Sequence, residues 1–68
     1  MLKKHRENQG LTLRQLCERA GGLDPGALSR IERGLRLPDL DTFHRLKRVP
    51  GFGRLRYDLE TRSLVIGQ

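Results

Sequence analysis

The chain has one cysteine, few acidic residues and no long apolar run. A single cysteine, Cys17, excludes an internal disulfide and fits a reducing compartment, the cytoplasm. No apolar stretch approaches the roughly 20 residues of a membrane-spanning helix. The Met1 end passes straight into LKKHRENQ with no apolar segment, so neither a secretory signal nor a membrane partner is expected. His5 and His44 stand at no ligand spacing with Cys17 or with a carboxylate cluster, so no metal is expected. No nucleophile–base pair, paired carboxylates or phosphate loop is visible, which leaves no catalytic residue, no cofactor and no enzyme. Eight Asp and Glu face fourteen Lys and Arg, a net charge of +6. That imbalance favours a polyanionic partner, nucleic acid being the commonest. At 68 residues the chain is near the lower limit for a stand-alone core, a limit that dimerisation would relieve.

What is present begins at residue 10, where GLTLRQLCERAGGLDPGALSRIERGLRLP carries two short amphipathic helices around a glycine turn. Thr12 is an N-cap, and Gln15 three residues later completes a capping box. Leu13, Leu16, Cys17 and Ala20 follow at helical spacing and form one apolar stripe. Cys17 in that stripe reads as a small buried hydrophobe. Gly21-Gly22 supplies the break, since glycine reaches left-handed angles without steric cost. Asp24 caps the next helix, with Pro25 at its first position. Leu28, Ile31 and Leu35 are expected to face the core, with Gly34 at the C-terminal cap. Gly26, Ala27, Arg30 and Arg33 take the other face. This is a helix-turn-helix layout, whose second helix is shaped for the DNA major groove.

Beyond Pro38, Asp39 caps a further helix with Leu40, Phe43 and Leu46 as its expected buried stripe. Lys47 and Arg48 suit its C-terminus, and VPGFG at residues 49–53 stops it. Residues 54–59, RLRYDL, alternate as a strand with Leu55, Tyr57 and Leu59 on one face. Residues 60–62 form a turn and residues 63–66 a second short strand. A lone hairpin of this size is marginal in water unless its apolar face is covered. Its own domain or a second copy of the chain would serve.

SRIERG at residues 29–34, followed by LRLPDLDTFHRL, resembles the phage Cro and lambda-repressor family, also called Xre-type. GLT at residues 10–12 and Arg6 match the same family in register. The resemblance spans roughly residues 2–48. It implies a mainly α fold, a four-helix lambda-repressor-like helix-turn-helix domain over residues 1–49, to which the alternation adds a C-terminal β-hairpin or strand extension over 50–68. It implies duplex DNA as partner, a homodimer on a palindromic operator, and a Cro-like bacterial or phage repressor. Arg30 falls where the family reads a base, and an arginine there can hold guanine O6 and N7 together. Ala27 could meet a thymine methyl, and Gly26 allows close backbone approach. Arg33 and Arg36 fall where the family grips phosphate, and Arg14 near a helix N-terminus is a further phosphate candidate. Arg6 and Glu32 match positions that form an internal ion pair.

Four departures stand out. Leu13 replaces a common phosphate-anchoring glutamine, Gly21-Gly22 lengthens the turn, the start is short, and a hairpin stands where a fifth helix is usual. Cro proteins similarly place a C-terminal strand or hairpin at the dimer interface. Phe52, Leu55, Tyr57, Leu59, Leu64 and Ile66 are accordingly the expected dimer contacts. The alternatives are an antitoxin that represses its own operon while its hairpin edge holds a toxin, or a helix-turn-helix module turned to another protein partner.

Overall fold

A computed structural model describes residues 2–67, so the reading of the Met1 end lies outside the described residues. Four helices come first: α1 (Leu2–Asn8), α2 (Leu13–Arg19), α3 (Pro25–Glu32) and α4 (Leu40–Lys47). An antiparallel hairpin follows, β1 (Leu55–Asp58) with β2 (Ser63–Ile66). The fold is therefore mainly α with a C-terminal β-hairpin.

Local chemistry sets the helix starts. Thr12 Oγ1 accepts from the Gln15 N–H at 3.1 Å, and Gln15 Oε1 accepts from the Thr12 N–H at 2.8 Å, closing the capping box. Asp24 accepts from the Ala27 N–H at 2.9 Å, with Pro25 opening α3. Asp39 accepts from the Thr42 N–H at 2.7 Å. Hydrogen bonding to the charged form from the Thr42 side chain, and then from its backbone N–H, holds the Asp39 carboxyl below the usual aspartate range. The ends of α2 and α3 share one device. Beyond α2, the Gly22 N–H reaches the Cys17 carbonyl at 2.9 Å and the Gly21 N–H reaches Glu18 at 3.1 Å. Beyond α3, Leu35 reaches Arg30 at 2.8 Å and Gly34 reaches Ile31 at 3.1 Å. This paired closure needs a left-handed residue just past the helix, supplied by Gly21 at φ 94° and Gly34 at φ 75°.

The core is a single cluster built around Leu2, Leu16, Leu28, Leu46, Val49, Phe52, Leu55 and Leu64. A fully buried leucine or phenylalanine of this kind contributes about 1.5–3 kcal/mol relative to an exposed one. Helices and hairpin share this cluster, so the boundary between residues 49 and 50 is not a division of packing. Strand register pairs Leu55 with Ile66 and Tyr57 with Leu64, which puts all four on one face of the hairpin. That face lies against the chain's own helices, with β2 contacting α1 and α3. His5 strengthens the join: its Nε2 donates to the Gly51 carbonyl at 2.6 Å, and its ring meets Phe52 edge-on at 4.8 Å.

Three expected core or strand positions fall elsewhere. Leu35 is 68% exposed, because α3 ends at Glu32 and the turn at Gly34 carries the chain off the helical wheel. Leu40 is 71% exposed. At 3.6 residues per turn, three-residue steps drift, so Leu40 lies about 120° around α4 from the buried Leu46. Leu59 is exposed because β1 stops at Asp58, whose carboxylate accepts from the Glu60 N–H at 2.9 Å and bends the chain into the loop.

Candidate nucleic-acid interface

The helix-turn-helix presents α3 and its exit loop as an arginine-bearing surface. Arg30 and Gly26 are four residues apart on one face of α3. The space that a Cβ would take at Gly26 lies 4.0 Å from Arg30 Nη1 and 3.3 Å from Asp24 Oδ2. The Arg30 guanidinium thus lies back along the bare Gly26 backbone, towards the helix N-terminus. Ala27 is half-buried and lines a groove with Arg36, Pro38 and Asp39, on the side of α3 facing α4. Arg33 caps the C-terminal end of α3, and Arg14 projects from the first turn of α2; both are exposed. The structure therefore draws Gly26 to Arg30 and Ala27 to Arg36.

Among the described residues, none of these four arginines is neutralised by contact. Among the described residues, ion pairs join Arg6 to Glu32 and Arg45 to Asp41, and no carboxylate lies within 4.0 Å of Arg14, Arg30, Arg33 or Arg36. Each is free to donate to phosphate or to a base edge, with no pair to break first.

Arg6 is treated in the opposite way. It is 8% exposed, gives Nε to Glu32 Oε2 at 2.8 Å and Nη2 to Oε1 at 3.2 Å, and Nη1 to the Leu11 carbonyl at 2.9 Å. The hydrogen bonds to Glu32 raise its pKa further above the ordinary arginine value, despite burial. The pair fixes α1 to the C-terminal end of α3.

Leu13, a departure from the family pattern in the sequence reading, is half-buried and packs against the core. Cys17 is buried, and desolvation pushes its thiol pKa up, as expected of an inert packing residue. The lengthened turn is held from outside: Arg45 donates to the Gly21 carbonyl at 3.1 Å and to Asp41 at 2.8 Å. The Asp41–Arg45 spacing of four carried that signal in the sequence, although its tie to the turn did not show.

The proposed dimer contacts divide. Phe52, Leu55 and Leu64 are at most 3% exposed inside their own domain, which removes them from any surface between copies. Tyr57 and Ile66 are half-buried at the core edge, and Leu59 stands in solvent. Sequence reasoning missed a different apolar surface, a groove lined by Leu37, Pro38, Leu40, Phe43 and Tyr57 with Asp39. Its signal was Leu37, an apolar residue beside Pro38 that belongs to no helical stripe.

The helix-turn-helix family model matches residues 2–53, most of the chain, and the chain belongs to that family, in its Cro/C1 type. No curated protein and no solved structure matches it. The family is one of DNA-binding domains, so the fold is that of a DNA-binding regulator of the Cro/C1 type. No helix among the described residues is long and apolar enough to cross a membrane.

Proposed function

We propose that the protein is a cytoplasmic transcriptional repressor of bacterial or phage origin that binds a two-fold operator as a homodimer. The observation that carries this is the set of uncompensated arginines on α3 and its exit loop, held in place by the locked Arg6–Glu32 pair behind them. Arg30 reads a base edge, the bare Gly26 backbone lets the helix approach closely, and Arg14, Arg33 and Arg36 grip phosphates. Two copies place their α3 helices in successive major grooves about 34 Å apart and occlude polymerase.

The test is selection of bound fragments from a random duplex library, followed by titration of the recovered site at two salt concentrations. Three phosphate contacts per subunit predict that affinity falls about 10³-fold between 50 and 200 mM salt. A two-fold sequence should emerge from the selection. Recovery without sequence preference overturns the repressor assignment. An antitoxin is the second reading, favoured by the two-stranded sheet, in which each strand has one edge without a strand partner. A toxin that co-purifies and protects those edges from hydrogen exchange would select it.

A further inference from the structure

We infer that the surface joining the two copies is the groove between the α3–α4 loop, α4 and β1, and that the hairpin contributes only Tyr57 to it. The inference rests on the homodimer proposed above and names its contact surface. The groove encloses about 340 Å³ and is lined by Leu37, Pro38, Leu40, Phe43 and Tyr57, with Asp39 as the one charged residue. Leu37 is 61% and Leu40 71% exposed, which is unusual for leucines so close together in a chain this polar.

Three observations make a second copy the occupant. The first is charge: each chain carries +6, so two copies repel, least where no arginine stands. No arginine lines this groove, in contrast to the grooves on the other sides of α4, which Arg36, Arg45 and Arg48 line. The second is complementarity along α4. Asp39 caps its N-terminus, and Lys47 at its C-terminal end holds Nζ 5.9 Å from the centre of the Phe43 ring. A two-fold axis crossing α4 antiparallel to its copy sets each Asp39 against the partner's Lys47 and opposes the helix dipoles favourably. The third is reach. The groove begins three residues beyond the Gly34 turn that ends α3, so the interface adjoins the exit loop and leaves α3 outside its lining. The domain measures 29 × 25 × 19 Å between Cα atoms, so the centres of abutting copies lie about one domain width apart. That is the scale of the roughly 34 Å between successive major grooves. A groove this small buries less than the roughly 800 Å² per partner of a standard interface, so the dimer is weak off DNA and tightens on two half-sites.

The experiment compares wild type with Leu40→Glu and Leu59→Glu by sedimentation equilibrium, and on duplexes carrying one or two half-sites. Both leucines are exposed, so all three proteins should share one circular dichroism spectrum and one thermal midpoint. Leu40→Glu should weaken the free dimer at least about 30-fold and abolish cooperative binding to two half-sites, with single half-site affinity unchanged. Leu59→Glu should change dimerisation by less than about twofold. A Leu40→Glu protein that dimerises like wild type overturns the inference. So does loss of the dimer in Leu59→Glu alone, or a wild type that stays monomeric and binds two half-sites independently. If wild type binds no duplex at all while Leu40→Glu still dissociates the free dimer, the surface stands and the operator proposal falls.

Discussion

Arg6 reaches α3 from α1 through Glu32, whereas Arg30 projects from α3 itself, and the fold treats the two guanidinium groups in opposite ways. Arg6 is enclosed, bidentate on Glu32 and bonded to the Leu11 carbonyl; Arg30 lies open along a helix face with no carboxylate in contact. Net charge cannot distinguish them, since both contribute equally to +6. What separates them is satisfaction. A guanidinium whose donors are filled from within the fold has become part of the scaffold, while one with free donors remains available to a ligand. The basic composition is informative about function only through the second kind.

The strongest way to break the contrast is to remove Glu32. Glu32→Ala strands the buried Arg6 guanidinium and should lower stability by about 3–5 kcal/mol in urea unfolding. A domain of this length has only about 3–10 kcal/mol in total, so much of the variant should be unfolded at 25 °C. A loss below about 1 kcal/mol would show that the pair is screened as a surface pair is, and that the contrast with Arg30 is one of position alone.

Gly34→Ala sharpens the comparison just beyond the end of α3. The space a Cβ would take there meets nothing within 4 Å, so the cost is that of the left-handed backbone alone, about 1 kcal/mol by thermal unfolding. Because the turn aims the exit loop, duplex affinity should fall by more than the stability loss explains.

The smallest effect expected is a pH dependence at Asp39. Its folded-state pKa is lowered by the bond to Thr42, so its contribution to α4 is present above the ordinary aspartate pKa. It is lost as pH falls through the lowered folded value. The difference in thermal midpoint between wild type and Asp39→Asn should therefore shrink on acidification below about pH 4. A difference constant across that window would contradict the capping role of the charged form.

Much of the architecture was legible because its determinants are local. Thr12 with Gln15, Asp24 with Pro25, and Asp39 each act within four residues, and the structure realises all three caps. The glycine turns at Gly21 and Gly34 are equally local. Leu35, Leu40 and Leu59 were misplaced for one reason: an apolar period says which residues share a face, but not where the element stops or which side is covered. The same limit governs the hairpin. Alternation put Leu55 and Tyr57 on one face correctly, yet only the strand register and tertiary packing show that Leu64 and Ile66 join them and that the chain's own helices cover that face. The Arg6–Glu32 pair spans 26 residues of sequence and was legible through family resemblance alone. The pairing of Gly26 with Arg30 could be placed on one helix face, but the guanidinium lying back along the backbone required coordinates.

The measurement that bears most directly on the central claim is the base preference of Arg30→Ala on the selected duplex and on each single base-pair variant of it. Loss of about 1–3 kcal/mol of discrimination at one base pair per half-site, with unfolding unchanged, is the predicted result. A variant that weakens binding equally at every sequence, or not at all, would contradict the assignment of Arg30 as the reading side chain.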